Sequence, residues 1–382
     1  MTIELVNTAE HVGVLRSTEG NLPTIFARIS AHKKAIGSVL HTGMSRSHRG
    51  NPRASLRIEQ LYGVPVLLSG LGAMILSKQE ELLVEQHHKE VLQSLQKLHP
   101  RTPRAVVFFL AGSLPGTALL HLKQLGLFGM ICRLPHSILH KHALNLFCSR
   151  TISPNSWFYQ IREYCILYQL PHPYELLKTP LPKVKFKKLV KKRVIDYWEQ
   201  ILRTESLPLP SLNLFKPCFM SLTSTHPMWR TAGCSPTKVA MAVVQARMVS
   251  GRYRTEYLCR HWSKNKAGVC QLTENCNSSL ENLPHILAFC PALQSTREKL
   301  MKFTLSYCEQ VPYFTQLILK YLNPVNPMYC QFLIDCTSID EIITTTQEYG
   351  ESSFDHFFEI THTWCYSLHR DRLKILGRWN IL

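Results

Sequence analysis

The chain contains 382 residues, of which 45% are hydrophobic and 18% are charged. This length and composition are typical of a globular protein with two or three domains, and they exclude a low-complexity chain. Lysine and arginine number 44 against 26 aspartates and glutamates, so the formal net charge is +18. A charge of this size attracts polyanions, among which nucleic acid and anionic membrane surfaces are the usual candidates.

The N-terminal sequence MTIELVNTAEHVGVLRS has no basic flank followed by an apolar core, so it predicts no signal peptide. The 13 cysteines are then expected in a reducing compartment, as buried small hydrophobes or metal ligands. We therefore expect an intracellular protein, nuclear or cytoplasmic and not secreted. Two uncharged runs, residues 61–77 and 105–122, approach membrane-spanning length, but internal glycines and prolines predict shorter buried helices and no membrane partner.

Apolar residues recur at helical spacing between about residues 21 and 150. The clearest stripe consists of Val84, His88, Val91, Leu95 and Leu98. These positions lie on one face of a helix, and His99 followed by Pro100 is predicted to end it. Since alternation with a period of two is almost absent, residues 1–150 are predicted to form a helical domain.

Residues 151–216 differ in composition, because prolines flank the lysine-rich sequence KVKFKKLVKKRVIDYW. Proline-rich flanks are typical of a connector, and the lysine-rich middle can form a helix with one charged side. Residues 217–300 contain a predicted helix followed by a cysteine-rich segment, and residues 301–382 form a last helical region. The predicted fold class is therefore mainly α, in four parts.

Three cysteines and one histidine are concentrated in the sequence CQLTENCNSSLENLPHILAFC. They are Cys270, Cys276, His285 and Cys290. Thiolates and an imidazole are ligands that Zn²⁺ prefers in a tetrahedral site, and four ligands leave no open position, so the predicted zinc ion is structural. Buried, unligated cysteines are the alternative, and Cys259 and His261 lie close enough in sequence to replace a ligand.

The sequence around the ligands also suits a metal site. A serine or Asn282 can cap a short helix that has Pro284 in its first turn. His285 and Cys290 would lie about 140° apart on an ideal α-helix. Because Pro291 disfavours helical geometry at Cys290, we expect the chain to leave the helix there and the thiolate to turn back toward the metal.

Five stretches resemble the C-terminal part of polyproteins from non-LTR retrotransposons. They are AEHVGVLRSTEGN, ISAHKKAIGSVLHTGMSRSHRGNP, QHHKEVLQSLQKLHPRTP, SGRYRTEYLCRHWS and TWCYSLHRDRLKILGRWN. Those polyproteins encode a reverse transcriptase followed by a Cys-Cys-His-Cys knuckle, and the resemblance covers nearly the whole chain. It implies that residues 1–150 correspond to the thumb, which grips the template–primer duplex, and that the cysteine-rich segment is the zinc knuckle.

The chain departs from this family in its acidic residues. The family's RNA-directed DNA polymerase core uses a Tyr-x-Asp-Asp motif and an earlier aspartate, whereas this chain has no Asp-Asp pair and no aspartate before Asp196. Two-metal catalysis needs closely spaced carboxylates, so we expect no polymerase activity from this chain. The stretch EHVGVLRS resembles the family sequence just after the palm, so the chain is expected to begin there. The aspartates and glutamates near the C-terminus do not have the spacing of a nuclease site.

Cationic residues cluster in three patches. The predicted nucleic-acid contacts are Arg46, Arg49 and Arg53 in the first, Lys187, Lys188, Lys191 and Lys192 in the second, and Arg252, Tyr253, Arg254 and Trp262 in the third. The cations would neutralise phosphates and the aromatic rings would stack on unpaired bases. The alternative for any single cation is a position on a solvated helix face. His32 is expected to add partial charge to the first patch. Trp198 and Trp364 are expected to be buried.

Three functions fit these observations. The leading one is a nucleic-acid-binding remnant of a reverse transcriptase that lacks the catalytic palm and binds template RNA or target and primer DNA. The rival is a helical protein-interaction scaffold in which the zinc clip only stabilises the fold. The third function, an active polymerase, would require a palm supplied by upstream coding sequence. The sequence does not distinguish RNA from DNA as the ligand, and it does not predict the oligomeric state.

Overall fold

The structure is a computed structural model that describes residues 8–11, 14–18, 20–41, 50–148, 152–217, 220–261, 267–276, 279–350 and 352–377. Within these residues the protein is mainly α, as predicted. The α-helices are α1 (Leu22–His41), α2 (Pro52–Ile58), α3 (Val64–Leu67), α4 (Lys78–Leu95), α5 (Arg104–Ala111), α6 (Gly116–Cys132), α7 (Ile138–Cys148), α8 (Trp157–Leu167), α9 (Pro173–Lys178), α10 (Lys183–Ser206), α11 (Pro227–Thr231), α12 (Pro236–Val249), α13 (Glu256–Cys259), α14 (Gln294–Cys308), α15 (Pro312–Tyr321), α16 (Tyr329–Asp335), α17 (Asp340–Tyr349) and α18 (Ser353–Ile375).

A few elements are not α-helical. Strand β1 (Thr8–His11) pairs antiparallel with β2 (Val14–Ser17), with Thr8 opposite Ser17 and His11 opposite Val14; the sequence did not predict this hairpin. Two π-helices span Glu59–Gly63 and His285–Phe289. Single 3₁₀ turns lie at Leu71–Ala73, Pro210–Leu212, Glu274–Cys276, Pro291–Leu293 and Cys336–Ser338.

The chain divides into two compact units that differ from the predicted domains. The first unit consists of Met1–Thr42, Leu56–Leu92 and Ser113–Leu202, and the second of Gly43–Ser55, Gln93–Gly112 and Arg203–Leu382. Residues 151–202 of the predicted connector at 151–216 belong to the first unit. Proline there begins helix α9 in its first turn, where it is tolerated, and does not produce an extended linker.

The first unit has an apolar core around α1, α3, α4 and α6. Its central residues are Ile25, Leu67, Leu68, Leu71, Met74, Leu76, Val84 and Leu120, all buried. Helix α10 adds a stripe with four-residue spacing, which consists of Phe186, Val190, Val194, Trp198 and Leu202. Trp198 Nε1 donates to Tyr168 Oη at 3.0 Å, so its predicted burial is confirmed.

The second unit is built around helix α18, which packs against α12, α14 and α16. Trp364 on α18 is buried, as predicted, and its Nε1 donates to Thr304 Oγ1 on α14 at 3.0 Å. Gln245 on α12 donates from Nε2 to Leu333 O at 2.8 Å and to Ile334 O at 3.0 Å, beside the end of α16. These bonds satisfy polar groups that would otherwise be buried without partners.

The apolar run at 105–122 is divided as the sequence predicted. Helix α5 ends before Gly112, whose φ of +60° lies in the left-handed region. A Cβ atom at Gly112 would lie 2.1 Å from the backbone of Ser224, so this close approach requires glycine. Among the described residues no single helix is long and apolar enough to cross a membrane, and the bent pair α5 and α6 passes that test only together, by length and composition.

Candidate metal centre

The segment from residue 267 to 290 is folded by short-range backbone pairing. Val269 and Leu280 form an antiparallel bridge. Beside this bridge, Cys270 N donates to Ser279 O at 2.9 Å and Glu281 N donates to Gly268 O at 3.0 Å. Cys276 ends the 3₁₀ turn Glu274–Cys276. The chain therefore returns on itself between the first two cysteines and the histidine.

His285 and Cys290 are brought together by a π-helix, so their separation of about 140° on an ideal α-helix does not apply. Asn282 Oδ1 accepts a hydrogen bond from His285 N at 2.9 Å, so the predicted asparagine cap is confirmed. Cys290 N donates to His285 O at 2.7 Å across five residues, which is the π-helical pattern. Cys290 itself has an extended ψ of 117°, and Pro291 starts the next turn. The expected exit from the helix before Pro291 therefore occurs.

The distances between the four candidate ligand atoms fit a tetrahedral site. Cys290 Sγ lies 3.8 Å from Cys270 Sγ and 3.9 Å from Cys276 Sγ. All four atoms, including a ring nitrogen of His285, lie within 4.8 Å of one another. With zinc–sulfur bonds of about 2.3 Å, the sulfur atoms of a regular tetrahedron are about 3.8 Å apart. A disulfide would instead require a separation of about 2.05 Å.

Burial makes this cluster unfavourable for charge unless a cation neutralises it. Cys270 is 3% exposed, Cys276 2%, His285 8% and Cys290 0%. Burial raises the pKa of Cys270 to about 11 and also raises the pKa values of Cys276 and Cys290. Burial lowers the pKa of His285, so its imidazole is neutral, as a metal ligand must be. His285 Nε2 is buried without a hydrogen-bond partner, which suits coordination. These residues can therefore hold a metal ion.

The surrounding residues attach the cluster to the core of the second unit. Glu281 is fully buried and accepts bonds from Arg372 on α18, with Nε at 2.9 Å and Nη2 at 2.7 Å. The same carboxylate accepts a hydrogen bond from Glu256 N at 2.6 Å. Arg297 Nη2 on α14 donates to Cys290 O at 2.6 Å. Sequence reasoning missed all three charged residues, since each lies outside the ligand segment or resembles an ordinary surface charge.

The structure resolves the choice of ligands that the sequence left open. The predicted four residues form the cluster, and neither Cys259 nor His261 belongs to it. Cys259 is 4% exposed on helix α13, and His261 is exposed. The cluster is closed to solvent, because its four members are buried and come from a single segment that contacts α14 and α18.

The predicted nucleic-acid contacts have different positions in the structure. The second patch lies entirely on α10, where Lys187, Lys188, Lys191 and Lys192 are exposed. In the first patch Arg53 is exposed on α2, whereas Arg46 and Arg49 lie outside the described residues, as does Trp262 of the third patch. His32 does not add surface charge, because it is buried beside Glu59.

The residues of the third patch differ in exposure. Arg254 is exposed and Arg252 is half-buried, which leaves both arginines accessible. Tyr253, however, is only 6% exposed, and its hydroxyl lies 2.8 Å from His369 Nδ1. Arg372 lies 5.7 Å from the centre of its ring. Little of this ring is open to solvent in the structure, and base stacking at Tyr253 stays a prediction.

Comparison with known proteins adds no further assignment. No family model, no curated protein and no solved structure matches this chain. The resemblance to retrotransposon reverse transcriptases therefore stays a prediction.

Proposed function

We propose that Cys270, Cys276, His285 and Cys290 bind one structural zinc ion. The observation that supports zinc is the set of sulfur–sulfur distances of 3.8 and 3.9 Å together with the unpartnered Nε2 of His285. Three thiolates and one imidazole form a soft, closed ligand set that suits Zn²⁺ and leaves no position for water or substrate. The ion would fix the fold of the segment and would take no part in a reaction.

We further propose that the protein binds nucleic acid and is a remnant of a non-LTR retrotransposon reverse transcriptase. The observation that carries this proposal is the charged face of α10. Its exposed cations are Lys183, Lys185, Lys187, Lys188, Lys191, Lys192 and Arg193. The apolar stripe of the same helix is buried, which fixes the orientation of the lysines toward solvent. A helix of 24 residues extends over about 36 Å and can follow several phosphates along a strand.

No polymerase or nuclease activity is proposed for this chain. Nucleotidyl transfer by two metal ions requires carboxylates that clamp both ions, and the sequence contains no aspartate before Asp196. The second unit does contain buried acids, but Glu281 is paired with Arg372 and Asp335 Oδ1 is hydrogen-bonded to Thr337. These carboxylates stabilise the fold.

A second candidate function is a protein-interaction scaffold. It is favoured by apolar side chains at the start of α7, where Leu134 is 50% exposed, Ile138 86% and Leu139 58%. Exposed apolar clusters often mark contact sites for other proteins. In this alternative, the zinc ion would stabilise the fold, and the lysine face of α10 would be an ordinary solvated surface.

Binding of a labelled oligonucleotide across a salt series tests the proposal. If about six phosphates are neutralised, affinity should fall roughly a thousandfold between about 50 and 200 mM salt. Reversing charge in the variant Lys188→Glu/Lys191→Glu should reduce the slope of log affinity against log salt by about 2. The matched control is Lys299→Glu/Lys302→Glu, which reverses two exposed charges at the same spacing on α14.

The two candidate functions give different results in this experiment. Nucleic-acid binding requires a steep salt dependence that the α10 variant reduces and the α14 variant leaves unchanged. Affinity that is flat with salt, or equal losses in both variants, would favour the scaffold.

A further inference from the structure

A cleft of about 350 Å³ lies within the second unit. Three separated parts of the chain line it: the segment after α4, the last turn of α12 with the loop that follows it, and the C-terminal half of α18. The cationic side chains in its wall are Lys97, Arg247, Arg252, Arg254 and Arg372. His99 and His369 also line it, and among the residues that the structure describes no aspartate or glutamate does. Folding thus concentrates positive charge that is dispersed in the sequence.

Most of this charge is not neutralised by the protein. Arg372 is paired with Glu281. In the part of the chain that the structure describes, Lys97, Arg247, Arg252 and Arg254 form no ion pair with a carboxylate. Burial lowers the pKa of Lys97, and the charge of Arg247 lowers it further. Burial also lowers the pKa of Arg247. Four like charges around one cleft destabilise each other unless an anion binds between them.

His369 provides a neutral hydrogen-bond donor at the same cleft. Burial raises the pKa of Tyr253 to about 12, so its hydroxyl keeps the proton that it can donate to His369 Nδ1 at 2.8 Å. With the Tyr253 hydroxyl as the donor in this bond, His369 carries its proton on Nε2. His369 Nε2 is buried without a partner, and so is Arg252 Nε. Both nitrogens can donate to an anionic oxygen.

The backbone of Lys97 is held in an unfavourable conformation at the cleft wall. Its φ of +55° lies in the left-handed region, which glycine normally occupies after a helix. Arg247 Nε donates to Lys97 O at 3.3 Å and so connects the two cationic residues. A lysine in place of the favoured glycine costs stability, which is expected where the side chain serves in binding.

We infer that this cleft binds phosphate groups of a nucleic-acid strand. Guanidinium groups match phosphate oxygens with paired donors, and the cleft offers three arginines that no carboxylate occupies. Leu98, Pro100 and Val244 provide apolar surface beside these cations for a sugar or base. The volume suits one nucleotide unit better than a duplex. This inference rests on the proposed nucleic-acid function and deepens it by naming a site outside α10.

Calorimetric titration of the full chain tests the inference with two probes, inorganic pyrophosphate and a short single-stranded oligonucleotide. The cleft variant is Arg252→Gln/Arg254→Gln, and the control is Lys299→Gln/Lys302→Gln, which removes the same charge from the exposed face of α14. We expect each probe to bind at least about tenfold more weakly to the cleft variant. The control should bind both probes like the unaltered chain.

Each outcome distinguishes the inference from the function on which it rests. If the cleft variant binds both probes normally, the inference fails, although oligonucleotide binding by the unaltered chain would retain the proposed function. If only pyrophosphate binding weakens, the cleft binds a small phosphorylated molecule, and its assignment to nucleic acid is overturned. Should the double variant fold poorly by its melting temperature, Arg254→Gln alone, at an exposed position, gives the same readout.

Discussion

Both compact units bury a cluster of titratable side chains, and in both clusters one member begins a π-helix. In the first unit Glu59 begins the π-helix Glu59–Gly63 and lies beside His32, His87 and His88. In the second unit His285 begins the π-helix His285–Phe289 and lies beside the three cysteines of the metal cluster. A π-helix therefore positions one member of each cluster, although the two clusters differ in composition.

The two clusters differ in how their polar atoms find partners. His32 Nδ1 lies 2.7 Å from His87 Nε2, and His32 Nε2 lies 3.0 Å from Glu59 Oε2. These are hydrogen-bond distances, so His32, His87 and Glu59 bind one another. In the second cluster Cys290 Sγ lies 3.8 Å from Cys270 Sγ and 3.9 Å from Cys276 Sγ, and His285 Nε2 has no hydrogen-bond partner. Burial of titratable groups alone therefore does not make a cluster suitable for a metal ion; the distances between the candidate ligand atoms matter as well.

Metal removal should have the largest effect. Chelation should greatly increase hydrogen exchange in peptides around residues 256–308, because structural zinc contributes apparent binding energies of about 10–16 kcal/mol in small zinc domains. Peptides that contain His32 or His87 should keep their protection, because the first unit supplies no ligand. Hydrogen exchange with mass spectrometry measures both regions in one sample. Equal losses in both regions, or no loss around residues 256–308, would contradict the comparison.

Breaking the buried ion pair beside the metal cluster should have the next largest effect. Arg372→Met leaves the Glu281 carboxylate, which is fully buried, without its cation and should lower the free energy of unfolding by about 3–5 kcal/mol. The matched control is Arg104→Met, since the Arg104–Glu205 pair has side chains that are 29% and 40% exposed. That change should cost less than about 1 kcal/mol. Denaturant unfolding of the two variants measures these losses of unfolding free energy. Similar losses would show that burial of the ion pair does not matter.

Acidification should weaken the first cluster. Burial lowers the pKa values of His87 and His88 to about 4, from an ordinary value of 6.5. Between these pH values the unfolded chain binds more protons than the folded chain, so stability is full above about pH 6.5 and falls as pH decreases toward 4. The expected loss is a few kcal/mol.

Hydrogen exchange of peptides from the first unit, measured from pH 7 to pH 4.5 and corrected for the intrinsic rate, checks this prediction. His88→Gln should reduce the pH dependence, whereas His136→Gln, at an exposed position, should not change it. If the two variants behave alike, the buried histidines are not responsible.

The smallest effect is expected at a glycine that makes room for the first cluster. A Cβ atom at Gly63 would lie 2.1 Å from Glu59 Oε2 and 2.7 Å from His32 Nε2. Gly63→Ala should therefore destabilise the protein by about 1–3 kcal/mol. Gly126→Ala is the control, because a Cβ atom there meets nothing within 4 Å and alanine favours the helix by about 0.5–1 kcal/mol. If the melting temperatures of Gly63→Ala and Gly126→Ala shift in the same direction, the first cluster is not tightly packed against Gly63.

The metal cluster was predictable because its ligands lie within one short segment. Asn282 and Pro291 mark the ends of its turn, and these local signals act as the sequence suggested. The π-helix was not predictable, since a spacing of five residues does not by itself distinguish a π-turn from a broken α-helix. The class of the fold followed from helical periodicity in the same local way, whereas the hairpin at the N-terminus gave no comparable pattern.

The first cluster and the cleft were missed because their members are far apart in the sequence. His32 lies between apolar and cationic residues of α1 and was interpreted as part of a basic surface. Only tertiary packing places it beside Glu59 and His87. Arg252 and Arg254 were found as a local patch, but Lys97 and His369 join them only in the folded chain. The Pro/Lys-rich segment contains helix α10, whose apolar residues at four-residue spacing are buried in the first unit.

Metal analysis of the purified full chain tests the central claim most directly. We expect about one zinc ion per chain without added metal. We also expect loss of that zinc in Cys276→Ser and retention in Cys259→Ser, which removes a buried cysteine outside the cluster. A chain without metal, or a Cys276→Ser variant that keeps its full zinc content, would contradict the account.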